Sequence, residues 1–308
     1  MISKFNTQFL MPKFWATWAG LSLLRLIRLF PFNLQVRIGA LLGNLIYLTA
    51  KKRRQIAETN LALCFPEQSD SNRKQMTKEV FKNSGIGLIE TACAWWAPLS
   101  SFDSKTKIEG RQYLDEALQQ GKGVILLGAH YSTLDLGGLL FSRFYNLHTM
   151  YRPHNNPLME SIIDRGRKRF ISSLIDRHDF RGVIRALKSN EIVWYAPDQD
   201  FGPTNSIYAP FFGVEAATVT ATARLAKLSK SPIVMLSHHR NSDNSYTLRL
   251  HPPVEPFPLE GDRESATRIN QELEKGILYD PTQYMWMHRR FKTHPNGKGY
   301  LYRTKNES

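Results

Sequence analysis

Gly123-Val-Ile-Leu-Leu-Gly-Ala-His130-Tyr-Ser-Thr-Leu-Asp135-Leu-Gly137-Gly138 is the stretch on which the reading of this chain turns. Val124 to Leu127 is a short apolar run bounded by glycines, the pattern of a buried strand. Gly128-Ala129 ends it and His130 follows at once. Thr133 is placed to cap a helix over about Leu134 to Phe144. His130 therefore stands at the carboxyl end of a strand, where ligands bind in open α/β sheets.

His130 and Asp135 are five residues apart, about 140° around a helix, so they do not share one helical face. With His130 in the loop and Asp135 in the first helical turn, the carboxylate is expected to reach back to the imidazole. A carboxylate on one ring nitrogen fixes the tautomer and leaves the other free to take a proton. The pair is the base half of a catalytic triad without its serine, so the nucleophile is expected to be a substrate hydroxyl. H-x4-D alone is a weak motif; the strand end, the glycines and the helix start give it weight.

Working outward, Lys105 begins a region in which strand-like and helix-like runs alternate. Strands are expected at Val124–Gly128, Leu147–Tyr151, Ile171–Ile175, Ile192–Ala196 and Ile233–Ser237. Helices are expected at Leu134–Phe144, Pro157–Phe170, Phe180–Lys188, Ala216–Lys227 and Arg263–Ile277. Tyr246–Leu250 adds a strand expected at an edge. The fold class that follows is α/β, a largely parallel sheet flanked by helices. No internal repeat or long linker divides residues 105–308, which read as a single catalytic unit.

Residues 1–104 differ. After a short polar lead, Met1 to Lys13, comes Phe14–Phe30, FWATWAGLSLLRLIRLF. It lacks the small-residue cleavage site of a signal peptide. Its uncharged part, Phe14 to Leu24, is shorter than the roughly 20 residues that span a bilayer. Ser22, Arg25 and Arg28 make one polar stripe on an otherwise apolar helix. Such a segment is expected to lie in the membrane interface with its arginines snorkelling, to span at a tilt, or to pack on the domain as an ordinary amphipathic helix. A second apolar run, Ile38 to Ala50, leads into Lys51-Lys52-Arg53-Arg54, suited to anionic headgroups. Gln55 to Pro98 reads as helical, with Pro66 closing one helix and Ser69 to Trp96 forming another.

The charge balance, 41 Lys and Arg against 27 Asp and Glu for a net +14, implies an anionic partner. No nucleic-acid signature accompanies it, so an anionic membrane, a phosphorylated lipid or an acidic carrier protein is expected. Cys64 and Cys93 form no disulfide framework. The chain has no G-x-S-x-G elbow, P-loop or dinucleotide fingerprint, so hydride transfer and nucleotide hydrolysis are not expected. Arginines near strand ends, among them Arg152, Arg169 and Arg177, suit phosphate or carboxylate. Asp198-Gln199-Asp200 follows the strand Ile192–Ala196. D-x-D there invites a metal, but no further ligands stand at familiar spacing, and neither metal nor cofactor is expected. Asp198 then orients arginines or a substrate hydroxyl. His238-His239 and His288 read as structural or surface residues.

Four longer segments carry a resemblance. They are Asn60–Glu67, NLALCFPE; Tyr151–Leu158, YRPHNNPL; Val193–Pro203, VWYAPDQDFGP; and Gln283–Lys292, QYMWMHRRFK. With H-x4-D they resemble the glycerolipid acyltransferase superfamily and, more finely, the late acyltransferases of lipid A biosynthesis, lauroyl type. The resemblance implies transfer of a laurate-like chain from acyl carrier protein to the free hydroxyl of a 3-hydroxyacyl chain on Kdo2-lipid IVA. It also implies residence at a Gram-negative inner membrane, with the catalytic core on the cytoplasmic side. The family's catalytic pair falls on His130 and Asp135, and its site Gly and Asp on Gly166 and Asp198. Two other readings stay open. One is a phospholipid-type acyltransferase using glycerol 3-phosphate or a lysophospholipid; the other is a non-enzymatic basic membrane-surface protein.

Overall fold

A computed structural model describes residues 7–302. Met1 to Asn6, the start of the expected polar lead, lie outside the described residues. Four helices come first: α1 (Trp15–Ile27), α2 (Phe32–Thr49), α3 (Lys51–Cys64) and α4 (Asp70–Trp96). At about 1.5 Å per residue, the 13 residues of α1 rise about 20 Å, short of the roughly 30 Å hydrocarbon core. Among the described residues no helix is long and apolar enough to cross a membrane. The spanning arrangement admitted above for Phe14–Phe30 is therefore not the one its helix supports.

The turns between these helices follow their sequence. α3 stops where Pro66 disfavours helix in the residue before it, with Phe65 as its C-cap. Ser69 then caps α4, its hydroxyl accepting from the Asn72 N–H at 3.2 Å. α4 carries no strong apolar stripe because it is covered on several sides. α2 crosses it at glycine contacts: a Cβ on Gly39 would stand 2.8 Å from the Ile86 Cα, and one on Gly85 would collide with the backbone of Gly39 and Gly43.

The rest is an α/β layer structure. It runs β1 (Thr106–Glu109), α5 (Arg111–Gln119), β2 (Val124–Leu127), α6 (Leu134–Ser142), β3 (His148–Tyr151), α7 (Pro157–Arg167), β4 (Ser173–Asp176), α8 (Phe180–Lys188) and β5 (Ile192–Tyr195). Then come β6 (Ser206–Phe211), β7 (Val214–Val219), α9 (Ala221–Ser229), β8 (Ile233–Arg240), β9 (Tyr246–Leu250) and α10 (Asp262–Ile277). Seven strands form one sheet in the order β1-β9-β8-β2-β5-β3-β4. All neighbours are parallel except β8 and β9. β6 and β7 form a separate antiparallel hairpin.

Alternation along the strands sorts two apolar clusters onto opposite faces. Ile125, Leu127, Val193, Tyr195, Ile233 and Met235 enter one. Val124, Leu126, Ile192, Val234 and Leu236 enter the other. Residues 1–104 contribute to both: Leu61, Val80 and Phe81 to the first, Leu21, Cys93 and Trp95 to the second. A buried polar link strengthens the join. Glu90 of α4 accepts from Arg240 at 2.9 Å and from the Tyr246 hydroxyl at 2.7 Å, and Asn83 accepts from the same guanidinium.

Three expectations are corrected. The run Ala216–Lys227 is not one helix: Val214–Val219 pairs with Ser206–Phe211, a strand missed in the sequence, and α9 starts only at Ala221. The β-branched Val214, Thr218 and Val219 favour the extended state, and Phe212-Gly213, both at positive φ, close the hairpin. Tyr246–Leu250 is not an edge strand, because β1 pairs along its outer side. The strand expected at Ile171–Ile175 starts later, since the Ile171 N–H still bonds to the Arg167 carbonyl at the end of α7.

Candidate active site

The sheet order brings the site together. β2 and β5 are parallel neighbours, with Leu127 opposite Tyr195. His130 and Asp198 each stand three residues beyond that pair, so two neighbouring carboxyl ends deliver them to one place. The His130 Nδ1 lies 2.7 Å from Asp198 Oδ1, and the His130 backbone N–H donates to Asp198 Oδ2 at 2.9 Å. Asp198 is 1% exposed. Burial alone would raise its carboxyl, but the charge and hydrogen bonds of His130 hold it below the usual carboxylate range. With Nδ1 engaged, Nε2 is the nitrogen left for chemistry.

The expected partner of His130 is thus replaced. Asp135 does not reach back to the imidazole. Both its oxygens are taken by Arg167 of α7, from Nε at 2.6 Å and Nη2 at 3.2 Å. That fork-to-fork geometry is a strong, directional arrangement. The guanidinium also stacks over Tyr151, 5.2 Å from the ring centre. Asp135 and Arg167 remain within the site as a second charged pair beside the first.

His130, Asp135 and Arg167 line one cavity of about 510 Å³. Its wall is largely apolar, with Leu134, Leu147, Ile163, Phe170, Trp194 and Leu236 among the lining residues. Arg152 and His154, from the segment after β3, add basic groups to the lining. Gly138 also faces in: a Cβ there would make only ordinary contact, 3.5 Å from Phe170 and 3.9 Å from Ile171. A histidine among apolar walls beside cations suits a reacting ester or thioester whose chain is aliphatic and whose remainder is anionic.

The other sequence candidates fall elsewhere. Gly166 lies outside the cavity, packed on the Trp95 indole, where a Cβ would meet Cδ1 at 2.6 Å. The Arg169 guanidinium donates to the carbonyls of Trp95 and Ala97, satisfying the end of α4. Arg177 is exposed, with Nε 3.0 Å from His178 Nε2. Asp200 accepts from Gly202 N–H at 2.9 Å and from the Thr293 hydroxyl at 2.8 Å, a clasp for the C-terminal segment. Of the basic candidates, only Arg152 reaches the cavity.

The sequence reading missed four contributors. Arg167 is one arginine among several in its segment, and nothing local marks it. Trp194 packs edge-on to His130 at 5.9 Å; its place on the strand before Asp198 was the available signal. His238 is buried in the cavity wall with Nδ1 2.7 Å from the Thr133 hydroxyl. Burial, reinforced by His239, lowers its pKa to about 3, so it is a neutral ring. The fourth is the segment Gln283–Trp286. Met285 N–H donates to the His130 carbonyl at 3.0 Å, Ser132 N–H to the Gln283 carbonyl at 2.7 Å, and the Tyr284 hydroxyl to the Asp198 carbonyl at 3.3 Å. These bonds fix the loop that carries the imidazole.

Comparison with known proteins identifies relatives over nearly the whole chain. A model of the family described as "Bacterial lipid A biosynthesis acyltransferase" matches residues 2–293. The chain is 40% identical to a lipid A biosynthesis lauroyltransferase of Escherichia coli over 96% of its length and 97% of that protein's. It is equally, 40%, identical to a lipid A biosynthesis palmitoleoyltransferase of the same organism, over 97% of this chain and 98% of that one. Identity to the E. coli lipid A biosynthesis myristoyltransferase is 27%, over 99% and 95%.

Proposed function

The chain belongs to the bacterial lipid A biosynthesis acyltransferase family, and from that premise we propose that it moves a laurate-like acyl chain from acyl carrier protein to a hydroxyl of a 3-hydroxyacyl chain on Kdo2-lipid IVA. The observation that carries the mechanism is His130 at an apolar cavity with Nδ1 held by buried Asp198. His130 Nε2 takes the proton of the acceptor hydroxyl as its oxygen attacks the thioester carbonyl. Collapse of the tetrahedral adduct forms the ester and expels the carrier's thiolate, which takes a proton in turn. General-base help of this kind contributes typically about 10²–10⁴-fold. Asp198 fixes the tautomer and stabilises the imidazolium that forms.

The remaining groups divide the two substrates between them. Leu147, Ile163, Phe170, Trp194 and Leu236 would hold the donor's aliphatic chain. Arg152 and His154 stand where phosphates or acidic sugars of the acceptor would be met. Arg167 is neutralised by Asp135 and so offers oriented N–H groups rather than a free charge. A net charge of +14 suits both an acidic carrier protein and an anionic lipid. The reaction would take place on the cytoplasmic side of the Gram-negative inner membrane, with α1 and α2 in the interface. Their exposed leucines, Leu23, Leu26, Leu41, Leu45 and Leu48, are 56–68% exposed and support that placement.

The test is incubation of detergent-solubilised protein with acyl carrier protein donors of graded chain length and Kdo2-lipid IVA, reading product mass. Addition of one acyl chain, absent with His130→Ala, is the expected result. Turnover of a glycerol 3-phosphate or lysophospholipid acceptor in place of Kdo2-lipid IVA would overturn the assignment of acceptor.

A further inference from the structure

A second, smaller cavity of about 180 Å³ lies apart from the catalytic one and shares no lining residue with it. It is lined by Arg28, just past α1, by Phe32 and Gln35 of α2, by the end of α4 and the turn after it, and by Lys105. No carboxylate lines it among the described residues. The Arg28 Nε is buried without a hydrogen-bond partner. A buried guanidinium N–H left unpaired is costly, and an incoming anion would relieve it.

The neighbouring groups leave the charge open. Lys105 sits over the Phe32 ring at 5.0 Å. Asp103 is held by Arg143 through two bonds of 3.0 and 3.1 Å. Asp243, which feels the charge of Lys105, is bonded to Ser245. The Gln35 side chain is engaged elsewhere and does not reach Arg28 Nε: its amide donates to the Arg28 and Phe30 carbonyls, and its oxygen accepts from the Cys93 thiol at 3.2 Å. That thiol is pushed up to about 12, chiefly by burial, and so adds no negative charge.

The surroundings specify the form in which the anion arrives. Interleaved with the lining residues Arg28, Phe32 and Gln35 are Leu29, Phe30 and Leu34, which are 71%, 49% and 41% exposed. A cationic hollow rimmed by bare apolar side chains matches a phosphate carried on a hydrocarbon. We infer that Arg28 and Lys105 form a binding site for the phosphate of an anionic glycerophospholipid, whose chains lie along Leu29, Phe30 and Leu34. This site is distinct from the acyl-transfer cavity, and it stands or falls without reference to the acceptor proposed there.

The test titrates the full chain in a neutral detergent with dihexanoyl phosphatidylglycerol, dihexanoyl phosphatidylcholine and inorganic phosphate, following the ³¹P resonance. Tighter binding of phosphatidylglycerol than of the other two is expected. Arg28→Gln should weaken it roughly tenfold, the scale of one lost charge-assisted hydrogen bond. Ser101→Glu, which sets a carboxylate on the exposed rim and leaves both cations in place, should weaken it likewise should Arg28→Gln not fold. Unchanged affinity in both folded variants would overturn the site. Equal binding of phosphatidylcholine would overturn the role of charge, and equal binding of inorganic phosphate would overturn the lipid.

Discussion

Asp198 and Asp135 have exchanged the parts their spacing suggested, and kinetics separates them. Asp198→Asn keeps the shape but offers His130 an amide, so kcat should fall by about 10²–10⁴-fold with KM little changed. Asp135→Asn removes the charge facing Arg167 and should act mainly on KM and thermal stability, because a partly buried guanidinium loses its counter-ion. Equal losses of kcat in the two variants would refute this division. Gly138 gives a second residue-level test. A side chain there enters open cavity rather than backbone, so Gly138→Leu should shift donor preference toward shorter acyl chains, read as product mass across a donor series.

At the scale of elements, the crossing of α2 and α4 depends on the absence of side chains. Gly85→Ala would drive a methyl into the backbone of Gly39 and Gly43. The loss should be on the order of 3 kcal/mol, at the upper end of overpacking effects, despite alanine's better helix propensity; a urea titration measures it. The sequence made β2, α6, α8 and α10 legible, because apolar runs, caps and glycines mark them locally. It hid β6 because the partner strand after the Phe212-Gly213 turn read as the start of a helix, and it hid β1, whose strand character comes from a partner remote in sequence, since Thr106–Glu109 pairs with Tyr246–Arg249. The same reason explains the site. His130 was visible from its strand end, whereas its pairing with Asp198 follows from β5 lying beside β2, which no local pattern encodes. Arg169 and Asp200 looked like ligand groups because the sequence does not disclose that carbonyls of α4 and the Thr293 hydroxyl already occupy them.

For the whole molecule, histidines wholly or partly withdrawn from water shape the response to acid. His238 has its pKa lowered to about 3 by burial and then by His239, and His239, His251 and His288 are lowered too, each first by burial. The unfolded chain binds these protons below its ordinary value of 6.5 while the folded chain refuses them. Stability should therefore fall as pH drops from about 6.5 toward 3, by about 1.4 kcal/mol per pH unit for His238, while His239, His251 and His288 act in the same direction. Urea midpoints measured across that range should show a shallower decline for His238→Gln.

The bond between Glu90 and Arg240 bears on how this protein can be taken apart. A cut after residue 104, at the change of compositional rhythm, would give a tidy α/β fragment on paper. In that fragment Arg240 would keep its place on β8 but lose both Glu90 and Asn83, and α6 and α7 would show solvent the surface that α4 now covers. Expression of residues 105–308 alone should yield aggregated material, whereas recoding the exposed leucines of α1 and α2 as polar residues leaves the seal intact. Anyone seeking a form free of detergent should repaint the outside of the helical third rather than amputate it.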